Sequence, residues 1–241
     1  MRSYGLDELA WPAVREVLDD DPRLMIPVGA LEQHGPHLPL GANTLVAERV
    51  VAEVSRTLGL LRAPVLSYGV IAAGDPRPGS VGLGRKTLHR SVNELLGRWE
   101  RHGVREFILV TAHRYEPHLE ALLMALSSES VTRVYDLYQI DVTDLLEGDP
   151  AIEHAGEFET SLLLHLAPDR VDREAAVDHR VDEGAWRRYT RGRMPTPPAD
   201  GLGVLGWPSR ATAEKGEALF ARLVETLAAA VESPAPGTDG D

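Results

Sequence analysis

Three short stretches of this chain carry side chains suited to chemistry. The first is Gly29-Ala-Leu-Glu-Gln-His-Gly-Pro-His-Leu-Pro-Leu-Gly-Ala-Asn-Thr44. Glu32 and His34 are two residues apart, and an extended backbone points such a pair the same way. Gly35, Pro36, Pro39 and Gly41 impose an irregular loop, and Asn43 stands just before a helical pattern. A carboxylate, two imidazoles and an amide oxygen on one loop suit a first-row divalent metal. The same side chains could equally cap backbone groups in a polar loop, and the spacing is suggestive without being diagnostic.

The second stretch is Thr111-Ala-His-Arg-Tyr-Glu-Pro-His118. His113 follows an apolar strand by two residues, where a ligand or catalytic group would be presented. Glu116 and His118 offer further donors. Taken alone, it reads as a solvated strand-to-helix loop with Pro117 opening the helix. The third stretch is Glu153-His-Ala-Gly-Glu-Phe-Glu-Thr-Ser161. Acidic residues are expected in the first turn of a helix, where they meet the positive end of its dipole. That accounts for one glutamate more easily than for His154, Glu157 and Glu159 together.

The elements around these stretches alternate. Apolar runs predict strands over 23–29, 64–71, 106–111 and 131–140. Apolar stripes at helical spacing predict helices over 44–58 (with Thr44 as N-cap), 87–102, 118–128, 156–166 and 212–231. The Gly- and Pro-dense segment 75–84 must be a loop. Residues 167–208 are the least legible, and their MPTPPADG core excludes a helix or a central strand. Strand–helix alternation predicts an α/β fold, a three-layer α/β/α sandwich with a mostly parallel central sheet. Sites in such folds gather beyond the carboxyl ends of the strands, and the first two polar stretches sit there. One domain is expected over residues 1–232, followed by a disordered tail over 233–241.

Composition narrows the function. With 25 Lys and Arg against 37 Asp and Glu, the formal charge is −12. That charge disfavours non-specific nucleic-acid or anionic-membrane binding. The chain has no cysteine, so disulfides, thiolate nucleophiles and cysteine-held zinc are excluded. No apolar run is long enough to cross a bilayer, and the first residues lack a secretory core. A soluble, cytoplasmic protein is the expectation.

Glu32-Gln-His-Gly-Pro-His-Leu-Pro-Leu-Gly, His154-Ala-Gly-Glu-Phe-Glu-Thr-Ser161 and Ala211-Thr-Ala-Glu-Lys-Gly216 together resemble the creatininase (creatinine amidohydrolase) family, in the family's order and across nearly the whole chain. The resemblance implies a metal-dependent amidohydrolase, cleaving a C–N bond of a small amide, lactam or short peptide with a metal-activated water. It implies one or two divalent ions (zinc, manganese or iron) and a homo-oligomer, often a hexamer. Carried over by motif, Glu32 and His113 hold one ion, and His34 and Glu159 the other. Asn43 takes the bridging position, where the family usually has aspartate. His154 is the substrate-binding or proton-transferring histidine, with Glu157 a second catalytic candidate. Arg114, Tyr115 and Glu116 replace a glycine-rich segment and become candidate substrate contacts, as does Trp207. Arg114 suggests an anionic group on the substrate. The neutral Asn43 weakens a two-ion site, and Glu116 could supply a lost ligand. The alternatives are a lactam-forming or isomerising biosynthetic enzyme, or a non-catalytic binding scaffold on the same fold.

Overall fold

The computed structural model describes residues 4–75, 77–125, 129–148, 153–180, 182–194 and 202–233. At its centre lies β1 (Arg23–Val28), hydrogen-bonded to β2 (Leu61–Arg62) on one side and β3 (Glu106–Thr111) on the other. The strand β4 (Val131–Asp136) extends the sheet beyond β3, and every pairing is parallel. β1 and β3 run in register from Arg23 opposite Glu106 to Val28 opposite Thr111. Both strands are buried beyond their first residue. That is why they read as continuous apolar runs without alternation.

Alternate side chains nonetheless enter different layers. Met25, Ile108 and Val110 pack with α2 (Ala42–Leu58), α5 (Glu157–Leu166) and α7 (Ala213–Glu232). Leu24, Ile26, Val28, Phe107 and Leu109 pack on the opposite face, with α1 (Trp11–Asp20), α3 (Arg85–Glu100), α4 (Glu116–Leu123) and α6 (Glu183–Thr190). The result is the expected three-layer sandwich. Helix ends follow local chemistry. α2 stops at Gly59, whose φ of 74° is the left-handed stop that glycine tolerates. Thr212 caps α7 by accepting from the Lys215 N–H at 3.2 Å.

Several expectations need correction. The segment 64–71 is no regular strand. It runs beside β1 with a single bridge, Val28 to Leu66, because the ladder bonds skip from Ala63 N on Met25 O to Leu66 N on Pro27 O, one residue out of step, and the regular pairing falls earlier, at Leu61–Arg62. Thr44 is not the N-cap of α2. The helix starts at Ala42, and the Thr44 hydroxyl instead donates to Ala30 O at 3.0 Å. The strand expected over 131–140 ends at Asp136, whose side chain accepts from Tyr138 N and opens a 3-10 turn, Leu137–Gln139. α1 and α6 carry no sequence expectation. Residues 126–128 of the helix expected over 118–128, most of MPTPPADG and 234–241 of the tail lie outside the described residues.

The chain leaves β1 for β2 on one side and returns to β3 on the other. The reversal leaves a crevice beyond the carboxyl ends of β1 and β3, the place where such sheets bind ligands.

Candidate metal centre

The loop after β1 delivers Glu32 and His34, the first turn of α2 delivers Asn43, and the turn after β3 delivers His113. The first turn of α5 and the loop before it deliver Glu159 and His154. All six are buried, none more than 6% exposed. Gly29 permits the closeness. A Cβ there would stand 2.4 Å from Thr44 Cα, so only glycine lets α2 start against the end of β1.

Asn43 lies at the middle. One terminal atom of its amide is 3.0 Å from His34 Nε2 and the other is 3.0 Å from His113 Nδ1; with the nitrogen on the His34 side, the amide also donates to Ala112 O and Glu159 Oε1 at 3.0 Å. The far nitrogens of both rings are tied to main chain. His34 Nδ1–H donates to Glu32 O at 2.9 Å, and His113 Nε2–H donates to Val70 O at 2.8 Å. Carbonyls only accept, so each neutral ring must aim a lone pair at Asn43. This is the outer-sphere device that orients histidine ligands. The amide can donate to one of those lone pairs but presents oxygen to the other. Whichever way it is turned, one imidazole needs a proton or a cation on its inward nitrogen.

The carboxylates complete two halves. On one side Glu159 lies 3.5 Å from His34 Nε2, accepts from Ala155 N at 2.5 Å and from the Tyr138 hydroxyl, and has His154 close by. Ala155 holds a left-handed φ of 56°, which turns its N–H onto that carboxylate. On the other side Glu32 accepts from the Tyr189 hydroxyl at 2.8 Å through Oε1. Its Oε2 is 3.4 Å from His113 Nδ1 and has no hydrogen-bond partner. An orphaned carboxylate oxygen facing an imidazole lone pair invites positive charge.

Charge supports the same reading. Burial would raise Glu159, but the facing His34 and the hydrogen bonds outweigh it and hold the carboxyl well below its usual range. Burial would lower His34, yet Glu159 and Glu32 lift it to about 9. Without an ion, a proton on His34 occupies the cation's place. Glu32 is lowered because His113, His154 and His34 outweigh its burial. His154 is held below the ordinary histidine value by burial and by His34, and its Nε2–H donates to Gln33 O at 2.8 Å.

Other candidates lie elsewhere. Glu157 faces away from this centre. Its carboxylate takes Lys215 Nζ at 2.6 Å and the Gly148 N–H at 2.7 Å. Residues two apart on a helix diverge by about 200°, so Glu157 and Glu159 cannot share a face. Trp207 lies under the Arg210 guanidinium at 5.2 Å, beside Gly148 and Glu157. Glu116 is exposed, with Arg191 Nε 3.8 Å away, and supplies no ligand here. Arg114 sits 4.5 Å over the Tyr138 ring and lines a cavity of about 220 Å³ with Tyr138, Thr143 and Phe158. Tyr115 is buried, with ring centroids 6.0 Å from both His113 and Tyr189. A larger apolar cavity of about 470 Å³, among Leu6, Trp11, Leu24, Leu61 and Trp99, lies at the opposite end of the sheet.

Tyr138 and Tyr189, each covering one carboxylate, escaped the sequence reading. Tyr189 lies in the least legible stretch. The strand drawn to residue 140 swallowed Tyr138; ended at 136, it would have left Tyr138 just past a strand's carboxyl end.

Comparison with known proteins gives one consistent result. The family model for creatinine amidohydrolase matches residues 7–231. Creatinine amidohydrolase of Pseudomonas putida is 32% identical, with 98% of this chain and 99% of the relative aligned. The mycofactocin precursor peptide peptidase of Mycolicibacterium smegmatis is 31% identical over 91% of this chain and 88% of its own. A mutant creatininase of Zn–Zn type superposes with a TM-score of 0.78 at 30% identity, covering 96% of this chain and 98% of that one.

Proposed function

Because the chain belongs to the creatinine amidohydrolase family, we propose that it hydrolyses a C–N bond of a small amide, lactam or short peptide at a single divalent ion, zinc, manganese or iron. The observation that carries this is Asn43, wedged between two imidazoles whose outer nitrogens are both tied to main-chain carbonyls. His34 and Glu159, with His154 beside them, form the half that suits a cation. The amide has a single oxygen, so it can serve one ion and must turn its N–H toward the other half, which disfavours a second ion.

When bound, the ion polarises the substrate carbonyl and acidifies water at neutral pH. Water adds across the C–N bond, with its oxygen going to the carbonyl carbon and a proton to the leaving nitrogen. His154, kept neutral by burial, can carry that proton. Arg114, which lines the neighbouring cavity, suits a carboxylate on the substrate. The creatinine and precursor-peptide activities named for the relatives bracket the substrates to test. The same reading includes one domain over residues 1–232, a homo-oligomer, hexameric as the resemblance implies, and a cytoplasmic location. Among the described residues no helix is long and apolar enough to cross a membrane.

Elemental analysis of protein purified without added metal tests the proposal. One ion per chain is expected, rising toward two in Asn43→Asp and falling to none in Glu159→Gln. Turnover of an amide panel that survives complete chelation would overturn it.

A further inference from the structure

His118 supplies nothing to the centre directly, yet it is fully buried beside it. Its Nδ1 accepts from the Val70 N–H at 3.1 Å, so its Nε2–H donates to Thr111 Oγ1 at 3.0 Å. The His113 ring lies edge-on to it, with centroids 4.8 Å apart. Val70 O in turn accepts from His113 Nε2–H at 2.8 Å. One residue of the 64–71 segment is therefore gripped at both ends, its N–H by one imidazole and its C=O by another. The approach is tight. A Cβ on Gly69 would lie 2.7 Å from His118 Nδ1 and 2.5 Å from Gly29 O.

We infer that His118 is a positioning residue: by fixing Val70 it fixes the tautomer and the aim of His113. The segment it grips needs such an anchor because it is no regular strand and has a single bridge to β1. Thr111, the last residue of β3, orients the His118 ring, so the clasp ties the sheet to the segment through side chains. An imidazole is required because it accepts at one nitrogen and donates at the other. Phenylalanine fills similar space and does neither, whereas asparagine can place an acceptor near the Nδ1 position.

The inference rests on the metal reading above, and its test separates the two. Cobalt is titrated into folded, ion-depleted protein while its visible absorption is followed. Nitrogen NMR of the histidine rings in the same ion-depleted protein reads the His113 tautomer. His118→Phe should weaken cobalt binding by about tenfold to a hundredfold, change the absorption band, and turn the single Nε2–H tautomer of His113 into a mixture. His118→Asn should restore most of both. Leu227→Ala, a cavity in the core beneath α7 on the opposite face of the sheet, should lose stability while keeping the affinity and the tautomer. Thr111→Val removes the partner of His118 Nε2–H and should shift both readouts in the same direction, which serves if His118→Phe does not fold. Unchanged affinity and an unchanged His113 tautomer in the folded variants would overturn the inference. If the wild type takes up no cobalt, the metal reading fails, and the tautomer alone decides the role of His118.

Discussion

Asn43 is the residue on which the chemistry of this chain turns. An aspartate there would accept from both sides and add negative charge. The amide is neutral and directional, so it makes the two halves of the centre unequal. The two glutamates of the α5 first turn test how far position overrides residue type. Glu159→Gln should lower ion affinity at least a hundredfold, since it removes the charge that faces His34. Glu157→Gln should leave ion affinity and kcat near wild type but cost about 1–3 kcal/mol of stability, because Lys215 loses its buried partner. Equal loss of ion by both variants, measured by calorimetry, would contradict the opposed faces described above. In the cavity that Arg114 lines, Arg114→Ala should raise KM for anionic substrates tenfold or more and leave neutral amides unaffected, as steady-state kinetics would report.

Elements act on the centre through where they begin. α2 starts against β1 because Gly29 has no side chain, and Asn43 is in its first turn. Gly29→Ala should therefore destabilise the protein by about 1–3 kcal/mol and weaken ion binding as well. A denaturant curve and a metal titration on the same preparation check both. This scale is also where the sequence was most and least readable. β3 and α5 were clear because buried parallel strands and Leu-rich helices carry their signal locally. Glu32, His34, His113 and Glu159 could be nominated because the motifs that hold them resemble the family's, and the first three also lie just past legible strands. The helix α6 was opaque. It is short, polar over most of its length and followed by proline-rich chain, and only Ala185, Trp186 and Tyr189 are buried in it. The segment 64–71 misled because apolar residues can line a sheet without pairing to it. Side-chain direction within a polar turn, which separates Glu157 from Glu159, depends on the exact helix start.

For the molecule as a whole, the buried imidazoles set a pH window. Burial keeps His37 neutral, at about 4, with its Nε2 on Thr160 and its Nδ1 unpartnered. His118 and His154 are lowered too, chiefly by burial. Unfolded histidine titrates near about 6.5, so the unfolded chain binds more protons below that pH. The stability these groups contribute is present above it and fades as pH falls toward 4. His34 behaves oppositely. Raised to about 9 in ion-free protein, it contributes below about 6.5 and that contribution disappears as pH rises through 9. The urea midpoint of ion-free protein should peak near pH 6.5, and His37→Gln should flatten its acid side. A midpoint that climbs steadily to pH 9 would refute the assignment for His34.

The hydrogen bond from Tyr189 to Glu32 spans 157 residues of chain. At cellular elongation speeds the ribosome needs roughly ten to thirty seconds to cover that distance. Throughout that interval the nascent polypeptide carries its first carboxylate without the phenol that later shields it. Completion of the cleft therefore waits on a segment made after all six residues of the centre, and a product cut short before α6 would carry those six with Glu32 uncovered.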